Sequence, residues 1–71
     1  MGRQMDLDLE TERELTDIEW ADAWFEYREL LRGLKGDSYT EVELWANDRR
    51  RRRLRALNKR RRKLGLQPVP V

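Results

Sequence analysis

Residues 49–63 read Arg-Arg-Arg-Arg-Arg-Leu-Arg-Ala-Leu-Asn-Lys-Arg-Arg-Arg-Lys, with eleven cations and no acid. Nine of the eleven are arginine, whose planar guanidinium offers a rigid fork of donors matched to the oxygens of a phosphate. The chemistry this density of charge can do is to hold a polyanion by displacing its counterions. Arg49, Arg50, Arg51, Arg52, Arg53, Arg55, Lys59, Arg60, Arg61, Arg62 and Lys63 are therefore the candidate contacts to a DNA or RNA backbone, or to another acidic surface. On a helix, Arg51, Arg52, Arg55, Lys59 and Arg62 fall on one side, away from Val42, Trp45, Ala56 and Leu64. The bland alternative is a solvated charged face, or one neutralised by the chain's own acids. Two basic clusters flanking residues 54–58 also fit a nuclear localisation signal loosely.

Other chemistry finds little to work with. The chain has no Cys and, in 71 residues, no His, so disulfides and thiolate or imidazole metal sites are excluded. Ser38 is the sole serine and has no neighbouring base, and no cofactor motif is present. No enzymatic activity and no cofactor are expected.

The charges are segregated. All 14 acids lie between Asp6 and Asp48, so residues 1–48 carry a net charge of −9 and residues 49–71 a net charge of +11. Glu19, Asp22, Glu26 and Glu29 recur at helical spacing. They serve either solubility or a dock for an arginine helix, the chain's own or a neighbour's.

Elements must position these residues. Thr16 with Glu19 and Thr40 with Glu43 have the spacing of capping boxes, with Leu15/Trp20 and Tyr39/Leu44 as hydrophobic staples. Helix 1 is predicted at residues 17–35, ended by Gly36. Helix 2 is predicted from Glu41 to about Leu64, ended by Gly65, with a bend or break allowed at Asn47-Asp48. Trp20, Trp24, Tyr27, Leu31 and Leu34 form a core-facing stripe. Ile18, Ala21 and Phe25 make a second apolar patch on the opposite side, to be covered by the arm residues Leu7 and Leu9 or by a partner. Ile18, Trp20, Trp24, Phe25, Tyr27, Leu31 and Trp45 are the candidate protein-interface residues. Trp45, beside the arginine run, is read mainly as core, with stacking on a base or a guanidinium as the alternative.

The expected fold is all-α: a small helical hairpin of two main helices (16–64) with an N-terminal arm (1–15) and an extended C-terminal tail (65–71). Met5, Leu7 and Leu9 alternate with acids, which suits an extended arm, although residues 10–15 suit a helical turn equally. The tail, with Pro68 and Pro70, is read as a frayed end or a linear docking peptide. No membrane partner is expected, because no apolar run is long enough to span. The cytoplasm, or the nucleus or a virion in a viral setting, is the expected location.

Residues 30–36, Leu-Leu-Arg-Gly-Leu-Lys-Gly, followed by the arginine-rich segment, loosely resemble the small tailed-phage head–tail joining proteins of the lambda W type. The likeness spans about half the chain and implies a virion role. The short β-hairpin of that family has no counterpart here. Three functions follow as expectations. The first is a non-enzymatic nucleic-acid-binding protein. The others are an adaptor in a larger assembly, with a protein partner or homo-oligomer, and a small viral inhibitor of a host protein.

Overall fold

The computed structural model describes residues 2–71, with side chains from residue 9 onward. Two helices, α1 (Gly2–Leu31) and α2 (Gly36–Lys63), pack antiparallel as a hairpin measuring 55 × 18 × 13 Å. No strand occurs among the described residues.

Helix α1 differs from the expected 17–35 at both ends. The backbone of the predicted arm is helical from Gly2. The strong helix formers Leu9, Glu10, Glu12, Arg13, Glu14 and Leu15 outweigh the short alternation before them. The side chains of Met5 and Leu7 lie outside the described residues, and Leu9 is exposed. The C-terminus comes early, because Gly33 adopts φ 78° and turns the chain there. The Leu34 amide donates to the Leu31 carbonyl in closing that turn.

Neither capping box forms. The Thr16 hydroxyl stands inside α1, donating to the Arg13 carbonyl at 2.9 Å. The Thr40 hydroxyl donates to the Gly36 carbonyl at 3.3 Å, and α2 starts at Gly36 behind an extended Lys35 with no side-chain cap. Both glutamates are recruited across the hairpin, Glu19 by Arg60 and Glu43 by Tyr27. Inter-helix bonds thus override local capping. Helix α2 then runs unbroken through Asn47 and Asp48, where Asp48 pairs with Arg52 one turn on at 2.9 Å.

The core is narrow. Ala23, Leu54 and Leu57 are buried at its centre, with Trp20, Trp24 and Val69 packed around them. Ala46 is buried nearer the turn.

Val69 belongs to the tail, which folds back instead of fraying. At the end of α2 the Leu66 amide donates to the Arg61 carbonyl (2.8 Å) and the Gly65 amide to the Arg62 carbonyl (3.0 Å). This is a Schellman pair, made possible by Gly65 at φ 78°. The reversed tail meets the buried Asn58, whose amide pairs with the Val69 backbone like a strand neighbour. Asn58 Nδ2 donates to the Val69 carbonyl (2.8 Å), and the Val69 amide donates to Asn58 Oδ1 (2.7 Å). The Trp20 indole donates to the Pro70 carbonyl at 3.4 Å.

Asn58→Ala removes both bonds to Val69, at an expected cost of about 1–2 kcal/mol. The expected result is loss of hydrogen-exchange protection at the Val69 amide with α1 and α2 still formed. A variant whose Val69 amide still exchanges slowly would contradict the clamp.

Candidate nucleic-acid interface

Helical geometry divides the arginine segment of α2 into an edge that meets α1 and a face that points away. Arg49, Arg53 and Arg60, spaced four and seven apart, lie along the edge. They meet α1 acids that share an edge for the same reason. Arg49 Nε donates to Glu26 Oε1 at 2.5 Å. Arg53 Nη2 donates to Asp22 at 3.2 Å, and its Nη1 lies 3.4 Å from Glu26 as an ion pair. Arg60 bridges Glu19 (3.2 Å) and Glu12. The acidic row of α1 is thus a dock for the chain's own arginine helix. The exception is Glu29, which pairs with Arg32 on α1 itself.

The hydrogen bond from Arg49 holds the Glu26 carboxyl below its usual range, against a smaller opposing effect of burial. The same bond raises the Arg49 guanidinium, and a bond to Glu12 raises that of Arg60. Such half-exposed pairs are worth little singly, so their effect is to fix which side of α2 faces α1.

Two cations go deeper. Arg50 lies over the aromatic stripe, its Cζ 4.2 Å from the Trp24 ring centroid and 4.9 Å from that of Tyr27. The Trp24 and Tyr27 rings meet edge to face at 5.9 Å. The Tyr27 hydroxyl donates to Glu43 at 3.1 Å; burial first, and this bond second, push its pKa up. Arg61 is only 7 % exposed. Its guanidinium donates to the Thr16 hydroxyl (2.6 Å), Asp17 (3.1 Å) and the Gln67 carbonyl (2.6 Å), tying α1, α2 and the tail together.

The outward face keeps Arg51, Arg55, Lys59 and Arg62, spaced four, four and three apart, with Lys63 at its end. All five are exposed, and none is in an ion pair among the described residues. Arg52, expected with that row and away from Trp45, is exposed but lies beside Trp45 instead, and among the described residues it pairs with Asp48 of its own helix. From Arg51 to Arg62 the row covers roughly 16 Å of helix axis.

Of the candidate protein-interface residues, Trp20, Trp24, Tyr27 and Leu31 are half-buried within the hairpin. Ile18 and Phe25 are exposed on the opposite side of α1, at 63 % and 58 %, uncovered by any described residue. Trp45, read mainly as core, is 55 % exposed and contributes nothing to the core cluster. Sequence reasoning missed the burial of Arg61, the stack of Arg50 and the clamp of Asn58. The last had a signal, since Asn58 is the only uncharged polar residue within the basic segment.

Among the described residues no helix is long and apolar enough to cross a membrane. Comparison with known families, with characterised proteins and with solved structures returned no match.

Proposed function

We propose that this is a non-enzymatic nucleic-acid-binding protein that lays the outer face of α2 along a phosphate backbone. One observation carries the reading. After the acids of α1 have taken Arg49, Arg53, Arg60 and Arg61, the row Arg51, Arg55, Lys59, Arg62 and Lys63 is left exposed and without an ion-pair partner among the described residues. Like charges at helical spacing repel one another, and a polyanion laid along them relieves that repulsion while releasing its own counterions. The α1 acids have a positive role here. They hold α2 by its inner edge, so the outer row is preformed and points one way. Contacts to phosphate oxygens carry no sequence information, so binding through the row as a phosphate clamp is indifferent to sequence.

The test is fluorescence anisotropy with a labelled 20-nucleotide probe across a salt series. Five phosphate contacts predict a log–log slope of roughly −3.5 on single strands and −4.5 on duplex. Arg51→Glu with Arg55→Glu and Arg62→Glu should weaken binding by more than about 100-fold without loss of helicity, because these side chains are exposed and form no ion pair among the described residues. Absence of binding by the unaltered chain at low salt would remove the proposal.

A second reading rests on the other surface. The exposed Leu15, Ile18 and Phe25 on the outside of α1 favour a protein partner, as an adaptor in an assembly would require. The two faces are opposed, so both roles can coexist.

A further inference from the structure

Trp45 is the one indole of the chain left outside the core, and an exposed Trp alone is no site. Its surroundings make it one. A concavity of about 250 Å³ opens beside the ring, walled by Trp45, Asp48, Arg49, Arg52 and Arg53. Trp45, Asp48, Arg49 and Arg52 follow at spacings of three, one and three, so the ring, the carboxylate and two guanidinium groups share a ridge of α2.

The ring is more open than that of Trp24, being 55 % exposed. At Trp24 a guanidinium lies 4.2 Å from the centroid and covers the ring. At Trp45 the nearest, that of Arg49, stays 5.9 Å away, because Glu26 holds it by a 2.5 Å bond. Asp48 decides what the space accepts. Its carboxylate forms an ion pair with Arg52, whose Nε lies 2.9 Å away, and has lone pairs to offer. Beside three guanidinium groups that attract phosphate, this carboxylate can accept from a neutral ring that carries N–H donors. A nucleobase with an exocyclic amino group fits this: its flat face on the indole, its amino edge toward Asp48, its own phosphate toward Arg52. Arg52 lies between this space and the start of the outer row at Arg51, so one strand can reach both.

We propose that Trp45, with Asp48 and Arg52, forms a nucleobase-stacking subsite, and that the protein therefore prefers single-stranded nucleic acid to duplex. The inference rests on the phosphate-binding role of the outer row and deepens it. Bases inside a duplex are stacked on each other and cannot lie on an indole, whereas an unpaired base swings onto it freely.

The experiment measures anisotropy with a single-stranded and a fully paired 20-mer on the full chain and on Trp45→Ala and Trp45→Phe. Circular dichroism confirms that each remains helical, as expected for a residue outside the core. The unaltered chain should favour the single strand. Trp45→Ala should lower single-strand affinity by about 5- to 150-fold, the range of one base–aromatic stack. Trp45→Phe, which keeps a π-face, should recover most of it, and duplex affinity should not change. Unchanged single-strand affinity in Trp45→Ala, or an equal loss on both probes, overturns the subsite and leaves the phosphate row standing. Failure of the unaltered chain to bind either probe overturns the row, and the subsite with it.

Discussion

Arg61→Ala is expected to remove most of the chain's stability at 25 °C, although it removes one of eleven cations from a segment where cations abound. Arg61 is 7 % exposed, and its guanidinium meets a hydroxyl of α1, a carboxylate of α1 and a carbonyl of the tail. Truncation leaves the Gln67 carbonyl and the buried Thr16 hydroxyl short of a donor and opens a space where the long side chain lay. Breaking a buried charged network in this way costs about 3 kcal/mol or more. A chain of this size with a core of a few side chains has only about 3–5 kcal/mol to lose. Arg62→Ala, one position along and exposed, is the control and should leave stability unchanged within about 0.5 kcal/mol. Thermal melts followed at 222 nm read both. If the two variants melt together, Arg61 does not hold the three elements.

Leu54→Ala should be nearly as damaging for a different reason. Leu54 is fully buried at the centre of the cluster, between Ala23 and Leu57, with the Trp20 and Trp24 rings and Val69 around it. With so few apolar side chains in the core, no neighbour can shift to fill the gap without losing its own contacts. The expected cost is about 2–5 kcal/mol. Leu44→Ala, at a position 68 % exposed, should cost almost nothing. Chemical denaturation separates the two by their midpoints. Equal midpoints would mean that the cluster is not what holds α1 to α2.

The hairpin itself was legible in the residues. Aromatic spacing on α1, Leu54 and Leu57 on α2, and glycines at each end announce two helices packed face to face. The acidic and basic rows announced their partnership too, though only as one of two readings, because spacing alone does not say whether Glu19, Asp22 and Glu26 face water or Arg60, Arg53 and Arg49. Boundaries failed where a local signal and a distant one used the same atom. Glu19 and Glu43 suit a capping box by spacing and a cross-hairpin bond by position, and the distant partner prevails in both cases. Individual arginines were only partly legible for a related reason. Helical spacing put Arg51, Arg55, Lys59 and Arg62 on the outer side, where they stand, but gave no hint that Arg61 is interior and Arg50 stacked, because that depends on a rotation of α2 set by its contacts with α1 and the tail. Trp45 was misjudged because an indole carries its own presumption of burial, and this one lies on the far side of the helix.

The pairs that join the helices have a temporal consequence. Measured along the chain from the turn, they close loops of steadily growing length: Tyr27 to Glu43 spans 16 residues, Glu26 to Arg49 23, Asp22 to Arg53 31, Glu19 to Arg60 41 and Glu12 to Arg60 48. Closing the longest first from an open chain costs about 1 kcal/mol more in entropy than closing the shortest, but each closed pair brings the next within a few residues. Assembly therefore proceeds like a zip from the Gly33–Gly36 corner outward, and opening runs the other way. The last teeth are Arg60 with Glu12 and the strap of residues 65–71, which has nowhere to lie until both helices are in place.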